Sequence, residues 1–231
     1  MVGTVLQNTV EAIGRYWRAL APVAIALGFL DALVSVLLRA VVPNIDPTAP
    51  PGSIDVGAVA TRLLFGSLLA FAISLIISAV MFNLVAEADE RGTPDVNHAF
   101  EVTMARIWSL VGLVLLSTLA VFVGFLLLIL PGIWVAVSLA PSIAILFLEE
   151  RGAVDAFQES FRLVKGSWWP IFGILIIFSI FNAALGAPGA ALGGIASFVY
   201  QVIASAVVLV IQPMLILYIY RALRAQRPAA T

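Results

Sequence analysis

The chain has no cysteine and a single histidine, His98. Without thiols there is no disulfide, no thiol redox chemistry and no cysteine-ligated metal. A lone imidazole does not supply the converging ligands or proton carriers that metal and acid–base sites need. Charge is also scarce: 11% of the 231 residues are charged, and 12 basic against 13 acidic residues leave a net charge of -1. There is no basic excess of the kind that binds nucleic acid. The glycine-rich run Gly186 to Gly194 has no lysine after it and no strand before it, so it is not a phosphate-cradling loop. These absences predict no intrinsic enzymatic activity, no catalytic residue, no cofactor and no metal.

What is present is apolar: 62% of the residues, with a mean hydropathy of +1.12. Soluble domains do not have this composition. A bilayer core needs about 20 apolar residues per helix, and six stretches qualify, at 19–42, 57–86, 108–130, 132–149, 168–186 and 194–221. The start of the chain lacks the charged region and cleavage site of a secretory signal, so it is expected to be retained. The fold class expected is all-α and integral to the membrane, a single polytopic domain over 1–231.

Short amphipathic segments precede three of these stretches, at Val5 to Trp17, Pro94 to Trp108 and Ala153 to Trp169. In the last, Val154, Phe157, Phe161 and Val164 share one helical face opposite Asp155, Glu159, Arg162 and Lys165, the pattern of a helix lying in the interface. Val96, Phe100, Met104 and Ile107 repeat it, and Leu6, Val10, Ile13 and Trp17 do so more weakly. The expected interfacial anchors are Trp17, Trp108, Trp168, Trp169, Arg162 and Lys165. The six spans thus read as three pseudo-repeated hairpins, each preceded by an amphipathic interfacial helix. The units are about 1–90, 91–150 and 151–225, with a short tail at 226–231. Leu130-Pro131-Gly132 reads as a tight outer turn. Pro188 marks the Gly186–Gly194 run as a second outer turn rather than a helix contact, despite the GxxxG spacing of Gly189 and Gly193.

Ten of the twelve cations lie at the N-terminus, the C-terminus, or the second and fourth connections, against Arg39 and Arg62 on the other side. The positive-inside rule then places both termini in the cytoplasm. Acidic residues on the same surface cancel its formal charge. Glu87, Asp89, Glu90, Glu149 and Glu150 read as solvated helix ends in preference to a divalent-cation site, and His98 as a residue of an interfacial helix.

Polar groups inside the spans carry the functional expectation. Asp31 falls near the middle of the first span, where an unpaired carboxylate costs several kcal/mol and must be paired, neutralised or hydrated. Arg39 stands eight residues further along, about 12 Å on a helix axis, and Arg62 near the outer start of the second span. Asp31 either locks the first two helices together or belongs to a hydrophilic cavity for an anionic lipid head or for protons. Asn83, Asn182, Gln201 and Gln212 could line such a cavity or make interhelical hydrogen bonds. The candidates for a lipid-binding or polar-cavity site are Asp31, Arg39, Arg62, Asn83, Asn182 and Gln212.

Residues 126 to 178 contain a Pro131-Gly132 turn, a Glu149…Arg151-Gly152 exit, an Ala156-Phe157…Ser160…Leu163 helix, and Gly166 before the Trp pair. These features resemble the membrane domain of glycerophosphoryl diester phosphodiesterases and its stand-alone bacterial forms. The resemblance implies a six-helix protein of the bacterial inner membrane, and it supplies no catalytic residue, because that chemistry belongs to a separate soluble domain. The leading expectation is a lipid-binding or lipid-handling membrane module whose partners are membrane lipids. An accessory or scaffold subunit of a larger membrane complex is the alternative, suggested by the small-residue face of Ala70, Ala72, Ser74 and Ser78. A small-solute or proton-coupled transporter comes third.

Overall fold

The computed structural model describes residues 1–41 and 56–227, without the side chains of 37–41, 56–60, 62–63 and 190–191. The proline-rich connection from Pro43 to Gly52 lies outside the described residues, as do the side chains of Arg39 and Arg62. Among the described residues there are nine helices and no strand. They are α1 (Val2–Val41), α2 (Val56–Arg91), α3 (Val96–Ala105), α4 (Ile107–Leu127), α5 (Ile129–Ser138), α6 (Ser142–Leu148), α7 (Ala153–Val164), α8 (Trp168–Ala191) and α9 (Gly194–Gln226). Helix is the expected form, because hydrocarbon offers no partner to a free backbone N–H or C=O.

Among the described residues six segments are long and apolar enough to cross a membrane: Val2–Val36, Leu64–Arg91, Ile107–Leu127, Ile129–Leu148, Trp168–Gly189 and Gly194–Gln226. Large apolar side chains are bare on their outer faces; Ile195 is 82% and Leu126 75% exposed. In water such a surface would aggregate; against lipid tails it costs nothing. This is a multi-pass membrane protein.

The most extensive pairing of helices is the seam between α1 and α9, which are distant in sequence. Leu20, Ala24 and Ala32 of α1 are fully buried, and with Gly28 they recur every fourth residue, which places them on one face. A Cβ on Gly28 would lie 2.9 Å from both the Ala206 amide nitrogen and the Val202 carbonyl oxygen. Hydrocarbon gives apolar faces no reason to leave lipid, so helices associate where small residues let backbones approach. Ala24, Gly28 and Ala32 are that feature here.

Three boundaries differ from expectation. The amphipathic segment Val5–Trp17 forms no separate helix, because α1 runs unbroken from Val2 to Val41 through Pro22. Its sequence has a polarity boundary near Arg15 but no breaker there. The turn between α4 and α5 is not at Leu130-Pro131-Gly132 but at the single extended residue Leu128 (φ -167°, ψ 154°). Pro131 sits in the first turn of α5, where its missing N–H costs nothing. The third difference is the Gly186–Gly194 run: α8 continues through Pro188 to Ala191, and the chain reverses at Leu192 and Gly193. Gly189 therefore packs inside the α8–α9 hairpin, where its added Cβ would meet the Tyr200 ring at 3.1 Å.

The α4–α5 hairpin closes on two glycines. A Cβ on Gly124 would fall 2.9 Å from the Gly132 Cα, a backbone atom that no rotamer change can move. Gly124→Val is therefore expected to destabilise the hairpin by about 2–3 kcal/mol, measured as a lower thermal midpoint in detergent. Gly173→Ala, with nothing within 4 Å of the added Cβ, should be neutral or slightly stabilising, and an equal effect of the two would refute the close approach.

The short helices pack by small and hydroxyl residues. Ala99 and Thr103 of α3 and Ala156 and Ser160 of α7 are fully buried, while Val96, Phe100 and Val154 are exposed. Thr103 Oγ1 donates to the Ala99 carbonyl (2.8 Å), and Ser160 Oγ donates to the Ser138 carbonyl between α7 and α5 (2.6 Å). Near the start of α1, Val5, Thr9 and Ala12 are buried and Val10 is exposed. Ser160→Ala should cost about 1 kcal/mol, the net worth of one hydrogen bond plus an unmet carbonyl; no loss on thermal unfolding would mean the Ser138 carbonyl is satisfied without it.

Candidate functional site: a polar cavity between membrane helices

Four of the membrane helices enclose a partly open cavity of about 550 Å³. α1 contributes Asp31; α2 contributes Ser74 and Ser78; α8 contributes Asn182 and Gly189; α9 contributes Ser197, Gln201, Ser205 and Gln212. On α9 these four polar residues fall at or near every fourth position, with Leu209 between the last two. They form one stripe along a helix whose other faces are apolar.

Asp31 organises the inner wall. Ser74 Oγ of α2 donates to its Oδ1 (3.1 Å) and Ser205 Oγ of α9 donates to its Oδ2 (3.2 Å). One carboxyl group thus joins three helices. Two other polar residues are used internally: Tyr200 Oη donates to the Leu185 carbonyl (2.7 Å) and Ser197 Oγ to the Gly189 carbonyl (3.0 Å). Both bonds tie the α8–α9 hairpin at the cavity wall. Ser78, Asn182, Gln201 and Gln212 have no hydrogen-bond partner among the described residues. A carboxamide carries two donors and an acceptor, and leaving such groups unmet in an apolar medium costs several kcal/mol in total. The cavity therefore needs polar contents, whether water or a headgroup.

Of the expected site residues, Asp31, Asn182 and Gln212 meet in this cavity together with Gln201. Asn83 does not line it; Asn83 is buried and its Nδ2 donates to Thr103 Oγ1 of α3 (3.0 Å), so it fastens α3 to α2. Pairing of Asp31 with Arg39 or Arg62 concerns side chains outside the described residues. Ser74 and Ser205, the direct partners of Asp31, are not among the sequence candidates for the site, because serine is unremarkable inside a membrane helix. The regular spacing of Ser197, Gln201 and Ser205 was the available signal.

The expected anchors are dispersed along the opposite end. Trp108 and Trp169 are largely exposed, at 85% and 74%, and Arg162 and Lys165 are exposed as well. Trp17 is exposed on the outside of α1. Trp168 is instead engaged, stacking on Phe172 (4.9 Å between centroids) and donating from Nε1 to the Trp134 carbonyl of α5 (3.2 Å). Arg227 closes this region, its guanidinium donating to the carbonyls of Arg162 and Lys165 at the end of α7.

The acidic residues at that end are paired rather than merely solvated. Arg224 of α9 binds Glu149 and, at 3.0 Å, Glu159 of α7; Arg151 Nε binds Glu149 at 2.8 Å and Tyr220 Oη donates to it at 2.9 Å. Arg221 binds Asp89 of α2, which also accepts from Tyr218 Oη (2.8 Å). His98 Nδ1 meets Glu87, and Arg106 meets Glu150 at 2.9 Å. Among the described residues no three acidic or histidine side chains converge as a metal-ligand set.

Burial pushes the Glu149 carboxyl up, but the Arg224 and Tyr220 hydrogen bonds and the charges of Arg224 and Arg151 outweigh it, leaving the pKa below the ordinary 4.5. A carboxylate depressed on folding stabilises fully above its unfolded value and loses that contribution as pH falls through the folded one. Thermal stability should thus drop below about pH 4.5. Glu149→Gln should flatten that acid limb, and an unchanged pH profile would remove Glu149 as its source.

The fold and cavity define an all-helical, multi-pass membrane protein with a polar pocket between spans. Comparisons with protein families, with curated proteins and with solved structures find no match to this chain.

Proposed function

We propose that this protein is a non-enzymatic lipid-binding or lipid-handling module, with the headgroup of a membrane lipid seated in the cavity lined by Asp31, Gln201 and Gln212. The observation that carries this reading is the set of amides, unpartnered among the described residues, that face a polar space between helices that otherwise expose apolar side chains. α2 and α8 both line the space without packing extensively on each other, so the side between them is the natural entrance for an amphiphile from the bilayer. A cavity of about 550 Å³ suits a headgroup with the start of its chains.

The small residues on α2 bear on the choice between a lipid module and an accessory subunit. Ser74 and Ser78 line the cavity and Ala70 is buried within this chain, which leaves less of that face for a foreign subunit. The similar burial of Thr9, of Ala99 with Thr103, and of Ala156 with Ser160 supports reading the start of α1, α3 and α7 as headgroup-level elements of three repeated hairpins. The cation distribution supports cytoplasmic termini. The resemblance of residues 126–178 to the phosphodiesterase membrane domain supports a bacterial inner membrane.

Two experiments test these assignments. Replacing Asn182, Gln201 and Gln212 together with leucine should abolish lipid retention on mild detergent extraction while leaving a folded, equally or more stable protein; full retention would remove the cavity as the lipid site. The chain is free of cysteine, so single cysteines report topology directly. A membrane-impermeant maleimide applied to spheroplasts should label a cysteine at Gly193 and not one at Gly92, and the reverse pattern would invert the orientation.

A further inference from the structure

We propose that the cavity selects a headgroup carrying a primary ammonium, in preference to an anionic or a quaternary one. The inference rests on the lipid-binding reading and specifies the chemistry of the same site.

Among the described lining residues Asp31 is the sole charged group. Ser74 and Ser205 each donate to one of its oxygens, and each carboxylate oxygen keeps a lone pair free. Two hydroxyl bonds hold the carboxylate in place but do not neutralise it, and a net charge in the interior of a bilayer is costly. A cation brought by the ligand would neutralise it. An anionic headgroup would bring like charge against Asp31 in a medium of low dielectric, where the repulsion is several times that in water.

The remaining polar groups are neutral. The carboxamides of Asn182, Gln201 and Gln212 and the Ser78 hydroxyl are unpartnered among the described residues and can donate to ester or phosphate oxygens next to the ammonium. A primary ammonium offers three N–H donors, enough to bridge both Asp31 oxygens with charge-assisted hydrogen bonds. A trimethylammonium offers none and depends on aromatic faces for recognition. Tyr200 is the one aromatic residue among the described lining residues, and its hydroxyl is already bonded to the Leu185 carbonyl. The site is therefore built for N–H donors and not as an aromatic cage.

The test uses the full chain in nanodiscs of equal parts phosphatidylethanolamine, phosphatidylcholine and phosphatidylglycerol, with retained lipid identified by native mass spectrometry. Wild type should enrich phosphatidylethanolamine about tenfold over the other two, a difference of about 1.4 kcal/mol. Asp31→Asn should bring that enrichment within about twofold while the amides still retain lipid, and Asp31→Glu should restore part of it. Thermal melts of each variant report folding separately. Mono- and dimethylated ethanolamine lipids give a variant-free check, since retention should decline with each N–H removed. Equal retention of all three headgroups by wild type, or an undiminished preference in a folded Asp31→Asn, would overturn the ammonium assignment alone. Failure of wild type to retain any lipid would overturn the lipid-binding reading as well.

Discussion

Leucine in place of Gly28 is expected to leave little or no folded protein in detergent. The α1–α9 seam joins the first and last spans, and the helices pack tightly at Gly28, where even a methyl would lie 2.9 Å from two backbone atoms of α9. Under about 3 Å the backbones must separate, and separation uncovers the buried Leu20, Ala24, Ala32, Ala206 and Val210. Gly28→Ala alone should cost about 1–3 kcal/mol, the usual penalty of overpacking a tight contact. The same change at an unconstrained helical glycine gains about 0.5–1 kcal/mol. Leucine adds three more carbons with nowhere to go. Size-exclusion profiles and thermal melts of Gly28→Ala, Gly28→Leu and Gly173→Ala give the comparison, and a monodisperse, stable Gly28→Leu would mean that the helices do not meet there. The seam also shapes the cavity, since it sets Asp31 of α1 against Ser205 of α9.

The second large effect is expected at the basic end. Arg224→Ala should destabilise the bundle by about 2–3 kcal/mol. Removing one partner from a mostly buried charge network commonly costs 3–5 kcal/mol. Here the value is discounted because Arg151 and Tyr220 stay with Glu149, and because the Arg224 and Glu149 side chains keep 16% exposure. Arg224 joins the end of α9 to both Glu149 and Glu159, so its loss leaves two carboxylates short of a cation. Lysine at this position should recover only part of the loss, since an ammonium cannot span two carboxylates as a guanidinium fork does. Thermal unfolding of Arg224→Ala, Arg224→Lys and Glu149→Gln/Arg224→Ala provides the test. A loss below about 0.5 kcal/mol would place the pair among surface bridges of little worth.

The spans were legible because their signals are local. Trp108 and Trp168 stand at or one residue from the true starts of α4 and α8, and Gly194 opens α9 as expected. Asp95, near the start of the second amphipathic segment, caps α3 by accepting from the Asn97 and His98 amides. Boundaries failed where polarity and helix continuity part company: Arg15 to Trp17 mark a change of surroundings, which α1 crosses without a break. Prolines misled in the same way. Pro131 lies in the first turn of α5 and Pro188 inside α8, and neither stands at the chain reversal that follows from reading it as a turn residue.

The site was half legible. A carboxylate inside a span draws attention by its cost, and amides do so to a lesser degree, so Asp31, Asn182 and Gln212 were found. Which of them meet depends on how α1, α2, α8 and α9 are arranged, and contacts 43 and 174 residues apart, such as Asp31 with Ser74 and with Ser205, leave no trace in local spacing. Asn83 has the same chemistry as Asn182 and lies on a different interface. The ion pairs of the basic end were hidden for the same reason: Glu149 and Arg224 each looked like a helix terminus, and folding makes them partners.

Native mass spectrometry of the protein gently extracted from its own membrane, with bound lipids and polypeptides identified together, tests the central claim most directly. The expected result is a monomer or homo-oligomer retaining a lipid that is lost when Asn182, Gln201 and Gln212 are replaced by leucine. A protein that retains no lipid, or that carries a stoichiometric foreign polypeptide with the cavity empty, would contradict the lipid-binding reading.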